Sequence, residues 1–188
     1  GDMLDHLDCQ DAVAFTGSAD TALKLRANPE LLENSVRFAS EQDSLNASVL
    51  GPDATPGTPE FDLFVKEVQR EMTAKAGQKC TAIRRAIIPR AHVGAVIEAL
   101  QKRLDTIPIG DPSFEGVRMG SLVGGDQVSD VWTAVGALAD DSEIVHGGQR
   151  DFDVVGADRD TGAVFPSTLL YCDNPLVSNS AHSVEAFG

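Results

Sequence analysis

The stretch Asp11-Ala12-Val13-Ala14-Phe15-Thr16-Gly17-Ser18 decides the fold. Its centre is almost continuously apolar and stops at Gly17-Ser18, the pattern of a parallel strand covered on both faces. Ser18 is a natural N-cap, so a helix is expected from there through Ala27, closed by Asn28-Pro29. Ser35-Val36-Arg37-Phe38-Ala39 then reads as a second short strand running into Ser40-Glu41. Strand, crossover helix and strand make a βαβ unit, whose connection is right-handed in nearly all known cases.

Beyond this unit the same alternation continues. Gly51 to Pro59 is a loop by composition, and its last residues open a helix with Thr58 as N-cap and Pro59 in the first turn. Phe61, Phe64, Val65, Val68 and Met72 follow at helical spacing, so one face of that helix is apolar. It is expected to end near Lys75-Ala76-Gly77 with glycine as C-cap, placing Cys80 just beyond. Thr81 to Ile88 reads as a strand stopped by Pro89. Amphipathic helices are expected at 91–104 and 126–138, and a short strand at Glu143-Ile144-Val145-His146. The acidic run from Gln149 to Gly162 reads as a surface excursion, and Thr168 to Cys172 as extended, sheet-edge structure. Strands alternating with helices imply an α/β fold with an open, mainly parallel sheet flanked by helices.

Composition narrows the function classes. The chain has 188 residues, 42% of them hydrophobic, enough to bury a real core. Its formal charge of −14 disfavours nucleic acid and anionic lipid surfaces as partners. The Arg84-Arg85 pair is the one hint of a basic patch, and base rates for arginine make it a solvated strand end. No apolar run is long enough to span a bilayer and no basic-then-apolar leader opens the chain, so a cytoplasmic location is expected, with no membrane partner. The three cysteines Cys9, Cys80 and Cys172 are odd in number and widely separated, which argues against a disulfide framework or a zinc site and leaves a free thiol. The sequence begins in patterned structure and stops at Ala186-Phe187-Gly188 without a closing helix, so it reads as a fragment.

Few residues could carry chemistry. Cys80 follows a helix-ending glycine in a segment that also holds Lys75 and Lys79, a setting that favours a thiolate, although free cysteines are more often inert core residues. Cys9 and Cys172 keep that inert reading. Glu41 sits at a strand end, where open α/β sheets place their ligands, but by default it is a solvated turn carboxylate. Thr16-Gly17-Ser18 lies at another strand end and opens a helix whose N-terminus can accept a phosphate. The four histidines share no ligand spacing, and no metal is assigned.

Taken in chain order, several segments resemble the aldehyde dehydrogenase superfamily: Phe15-Thr16-Gly17-Ser18, the strand-ending Glu41, Gly77-Gln78-Lys79-Cys80, Ile109-Gly110-Asp111-Pro112, Met119-Gly120-Ser121-Leu122, His146-Gly147-Gly148, Phe165-Pro166-Ser167-Thr168-Leu169 and Glu185-Ala186-Phe187-Gly188. Within it, Glu41-Gln42-Asp43-Ser44-Leu45-Asn46 and the stretch from Arg70 to Arg85 most resemble the branch that oxidises ring-opened CoA semialdehydes in phenylacetate breakdown, with the semialdehyde dehydrogenases of benzoate breakdown, which they resemble too, as the alternative. The sequence departs from most of the family after Glu41, where Leu-Gly-Gly-Lys is usual and Gln42-Asp43-Ser44-Leu45 stands here.

The resemblance implies a catalytic domain at 42–188, preceded at 1–41 by the last βαβ unit of a Rossmann-type cofactor domain. It implies Cys80 as nucleophile, Glu41 as general base, and Thr16, Gly17, Ser18, Glu185 and Phe187 as cofactor-binding residues. NADP is the implied cofactor, with NAD as the variant, and a CoA-linked semialdehyde the substrate. The intact protein is expected to be a homo-oligomer fused to a C-terminal hydratase domain, and this segment alone is expected to be inactive. The sequence leaves three rivals open. They are a cofactor-independent cysteine thioesterase, a CoA-acylating dehydrogenase that needs no general base, and a non-catalytic module.

Overall fold

The computed structural model describes residues 2–188. The chain forms two compact units that divide after Ser44. The first is a βαβ unit: β1 (Ala12–Gly17) pairs in parallel with β2 (Arg37–Gln42), Thr16 lying opposite Glu41 and Gly17 opposite Gln42. Between them runs α1 (Ala19–Arg26), whose N-cap Ser18 accepts the Thr21 N–H as its sequence position implies. Asn28-Pro29 does more than close that helix. Asn28 accepts the Glu30 N–H and opens a second, five-residue helix, α2 (Pro29–Glu33). Hydrogen bonding carries this unit past the strand end, because the Asp43 N–H donates to the Gly17 carbonyl.

In the second unit, β3 (Asn46–Val49) pairs in parallel with β4 (Ile83–Ile87), with a register shift between Asn46 and Ala47. β3 has only Val49 as a strand-favouring side chain, which is why periodicity does not announce it. Between β3 and β4 lies α3 (Pro59–Thr73), with Thr58 accepting the Phe61 N–H and Pro59 in the first turn. A tight turn at Arg90–His92 leads into α4 (Val93–Leu104). Phe61, Phe64, Val65 and Val68 of α3 and Val96 and Leu100 of α4 are buried in one cluster with Leu50 and Ala54. The apolar faces read from spacing are thus the faces that pack.

A second cluster gathers around α5 (Gly125–Ala139), whose Val131 and Val135 are buried with Ala76, Ile109, Met119, Leu122, Val164 and Phe165. Trp132 packs on Phe165 at 4.5 Å between ring centroids, and the Arg150 guanidinium lies 4.5 Å above the Trp132 ring. β5 (Glu143–His146) and β6 (Leu169–Tyr171) pair antiparallel, and a short helix, α6 (Ser180–Ser183), precedes the last residues. The acidic stretch 149–162 has no regular strand, yet Val155 ties it inward by exchanging backbone hydrogen bonds with Ile109 and Asp111 at 2.9 Å.

The α/β alternation and the parallel pairing of β1 with β2 match the expectation, whereas β3, the parallel partner of β4, lies where no strand is expected from the sequence. Among the described residues the strands pair as three two-stranded pieces, β5–β6 being antiparallel. The end of α3 differs from expectation. The helix stops at Thr73, and Lys75, Ala76 and Gly77 all adopt left-handed backbone at φ 55°, 50° and 72°. The turn therefore needs three left-handed residues where a simple glycine cap needs one. No helix among the described residues is long and apolar enough to cross a membrane.

Leu100 is 1% exposed at the centre of the α3–α4 contact, whereas Leu176 is 96% exposed. Leu100→Ala is expected to lower stability by about 2–5 kcal/mol and Leu176→Ala by less than about 0.5 kcal/mol, read from urea unfolding midpoints.

Candidate active site

Cys80 is the first central residue of a turn in which the Ala82 N–H donates to the Lys79 carbonyl at 3.1 Å. Its side chain is exposed. Exposure alone does not single it out, since Cys9 is exposed as well. What distinguishes Cys80 is the number of groups that fix its backbone. The Asn46 amide donates to the Cys80 carbonyl at 2.5 Å and to the Ala82 carbonyl at 3.2 Å. That reach exists because the β3–β4 register slips beside Asn46, freeing its side chain to take over where the backbone ladder stops.

The residues before the thiol are held equally closely. Gln78 donates to the Lys75 carbonyl at 2.9 Å and to the Ser121 carbonyl at 3.1 Å. Ala76 is 1% exposed in the second core cluster. A Cβ on Gly77 would meet the Gly188 carbonyl carbon at 3.2 Å and the Arg84 guanidinium at 3.3 Å, in a left-handed conformation that already disfavours side chains. Lys79, which the sequence presents as a cation near the thiol, is paired instead with Glu71 at 2.7 Å, with both side chains mostly buried.

The reading of Arg84-Arg85 as a solvated strand end is overturned. Both sit on β4 in partly buried positions. Arg84 donates to the Gly77 carbonyl at 2.8 Å, lies 3.6 Å from Glu185 and has its guanidinium 5.4 Å from the Phe187 ring centroid. Burial pushes the Arg84 guanidinium below its ordinary pKa, and the Glu185 carboxylate opposes that shift. Arg85 donates to the Leu45 carbonyl and shares a 3.2 Å hydrogen bond with His182. β4 thus directs its two cations inward, which a base rate for arginine exposure cannot foresee.

In the first unit, Thr16 and Glu41 are neighbours across the parallel pair at the carboxyl ends of β1 and β2, and both are exposed. The Gly17-Ser18 turn leads into the α1 N-terminus, where the Ala19 N–H is taken by the Asp43 carboxylate at 3.0 Å. Asp43 itself is left-handed, at φ 41°, a conformation that aspartate tolerates better than most residues. The departure from the family after Glu41 therefore places a fixed negative charge at a helix end suited to anions.

The site residues expected from sequence fall into two sets. Thr16, Gly17, Ser18 and Glu41 assemble in the first unit, and Cys80, Glu185 and Phe187 in the second, where Gly77 and Arg84 link them. Sequence reasoning does not reach Asn46, Asp43 or Arg84 in these roles. For Asn46 the available signal is its place between the strand-ending glutamate and an apolar run. A cavity of about 360 Å³ lies in the second unit among Met72, Ile83, Val96, Leu100 and Leu169, and Cys80 is not part of its lining.

The sequence profile of the aldehyde dehydrogenase family matches residues 2–188, and the chain belongs to that family. Among curated relatives it is 48% identical over 187 residues to 3,4-dehydroadipyl-CoA semialdehyde dehydrogenase of Aromatoleum evansii, covering 100% of this chain and 36% of that protein. It is 41% identical over 71 residues to Protein MaoC of Klebsiella aerogenes, covering 37% of this chain and 19% of that protein. Of solved structures, betaine aldehyde dehydrogenase of Staphylococcus aureus in complex with NAD+ superposes with a TM-score of 0.80 at 24% identity, over 100% of this chain and 36% of that one. The chain therefore spans about a third of the length of the relatives it matches.

Asn46→Asp keeps the shape of the side chain but turns a donor toward two carbonyl oxygens into a carboxylate. Amide hydrogen exchange at 80–82 is expected to accelerate, with a loss of about 1–3 kcal/mol in local protection, while exchange in α4 stays unchanged.

Proposed function

We propose that this chain is the thiol-bearing part of a nicotinamide-dependent aldehyde dehydrogenase that oxidises a CoA-linked aliphatic semialdehyde to the acid. The observation that carries this reading is an exposed Cys80 on a turn whose carbonyl groups are fixed by Asn46 and Arg84, within a family match that runs the length of the described chain. The thiolate of Cys80 adds to the aldehyde carbon, and its own backbone N–H is one donor to the resulting oxyanion. Loss of hydride converts the thiohemiacetal to a thioester. Glu41 then takes a proton from water, which attacks the thioester carbon and releases acid and free thiol.

The residues present suit a nicotinamide dinucleotide, which when bound supplies the hydride acceptor. A carboxylate such as Glu185 can accept from ribose hydroxyls, and Phe187, 42% exposed, offers an apolar face beside it. Ser18 and the start of α1 supply hydroxyl and amide donors of the kind that hold phosphate. The Asp43 carboxylate already holds one of those amides, so a phosphate bound there would meet a local negative charge. NADP is the cofactor that the branch implies, and NAD is the cofactor named for the solved relative.

For the substrate, the 48% identity over 187 residues supports a dehydroadipyl-CoA semialdehyde or a close homologue from aromatic breakdown. The corresponding semialdehyde of phenylacetate breakdown is the second reading, favoured by the likeness of the stretch from Arg70 to Arg85 to that branch.

In the protein at the length of its relatives, Glu41→Gln is expected to leave a rapid first turnover of reduced cofactor and to slow the steady state by about 10²–10⁴-fold. Stopped-flow absorbance of the reduced nicotinamide reads both phases. An unchanged steady state would reject Glu41 as the base and favour release of the acyl group to a thiol.

A further inference from the structure

Arg84 reaches both the segment before the thiol and the segment that holds Glu185. One guanidinium nitrogen donates to the Gly77 carbonyl at 2.8 Å, the Nε lies 3.6 Å from Glu185 Oε1, and the guanidinium carbon lies 5.4 Å from the Phe187 ring centroid. The Arg84 and Glu185 side chains are 11% and 12% exposed, so their pairing is little screened by solvent. A flat, forked cation is the side chain suited to hold a carbonyl, a carboxylate and an aromatic face at once, and a lysine can meet only part of that demand.

The neighbouring cations have other employment. Lys79 is held by Glu71, and Arg85 by the Leu45 carbonyl and His182. The two segments also meet through backbone packing: the carbonyl end of Gly188 lies against Gly77, closely enough that a Cβ there would be 3.2 Å away. The Arg84 Nε is buried and, among the described residues, has no hydrogen-bond acceptor, since 3.6 Å is the distance of an ion pair and too long for a hydrogen bond. A purely structural pair at this depth would gain little over apolar residues of the same size.

We propose that Arg84 is a positioning residue that couples the two halves of the reaction, orienting Glu185 toward the cofactor ribose and fixing the Gly77 carbonyl, and with it the turn that presents Cys80. The proposal rests on Glu185 as a cofactor residue. Arg84 itself touches neither substrate nor cofactor. Its removal takes the paired cation from Glu185 and the guanidinium donor from the Gly77 carbonyl, so one substitution disturbs both cofactor affinity and thiol reactivity.

The test uses the protein at the length of its relatives, with Arg84→Met, Arg84→Lys, Glu185→Gln and the Arg84→Met/Glu185→Gln double variant. Two readouts are taken: affinity for reduced nicotinamide dinucleotide by fluorescence titration, and the rate of Cys80 alkylation by iodoacetamide without cofactor, followed by peptide mass spectrometry. Arg84→Met is expected to weaken cofactor binding by about tenfold or more and to change the alkylation rate several-fold. Glu185→Gln should weaken binding while leaving alkylation unchanged, and the double variant should bind no more weakly than Glu185→Gln alone. Arg84→Lys should fall between Arg84→Met and the parent in both readouts, and it carries the test if Arg84→Met does not fold. If Glu185→Gln weakens binding but the Arg84 variants leave both readouts within about twofold of the parent, the coupling is refuted while the cofactor role of Glu185 stands. If Glu185→Gln leaves binding unchanged, the cofactor role of Glu185 fails and the coupling fails with it.

Discussion

Three consecutive left-handed residues, Lys75, Ala76 and Gly77, turn the chain from α3 toward β4, and the position of the Cys80 thiol depends on that turn being held. Left-handed backbone at a residue with a Cβ costs about 1–2 kcal/mol, so Lys75 and Ala76 persist there only because their surroundings require it. The requirements can be named. Ala76 is sealed into a core cluster, Gln78 is tied to Ser121, the Gly77 carbonyl is held by Arg84, and the Cys80 carbonyl by Asn46. A nucleophile that must meet a carbonyl carbon with sub-ångström accuracy gains from this kind of over-determination, because misplacement is costly in rate.

This turn also gives a physical role to the scattered segments that make the chain resemble its family. Ile109, the pair Met119 and Leu122, and Phe165 belong to three separate stretches of sequence, yet they share one buried cluster with Ala76. The stretch containing Ser121 supplies the acceptor for Gln78, and the last residues supply Glu185 and Phe187 to Arg84. Gly147, left-handed at φ 67°, packs so close to the Ser167 carbonyl that no side chain fits between them, which joins one more segment to the stretch that holds Phe165. Several of these segments thus pack against, or hydrogen-bond to, the turn that carries Cys80.

Local signals make much of this architecture legible in the sequence. The β1–α1–β2 unit, the Thr58 cap, and the buried faces of α3 and α4 follow from apolar spacing and capping chemistry. What stays hidden is non-local or atypical. β3 is short and poor in branched side chains, α2 lies behind an Asn-Pro pair that also serves as a stop signal, and the three-residue left-handed turn has a glycine only at its end. In the site, Cys80, Glu41 and Glu185 can be singled out because they match a pattern. Arg84 and Asn46 cannot, because their importance lies in which distant carbonyl or carboxylate they reach, and sequence spacing carries no record of that. Asp43 is an intermediate case: its departure from the family is visible in the sequence, but its carboxylate on the Ala19 N–H is not.

The central claim is that Cys80 forms the covalent intermediate, and trapping that intermediate tests it most directly. The protein at the length of its relatives, carrying Glu41→Gln to slow hydrolysis, would be mixed with oxidised nicotinamide dinucleotide and a CoA-linked semialdehyde, quenched in acid and digested. Mass spectrometry is predicted to find the acyl group on the peptide that contains Cys80, in an amount that depends on the cofactor. An acyl group on Cys9 or Cys172, or none on any cysteine despite turnover, would contradict the account.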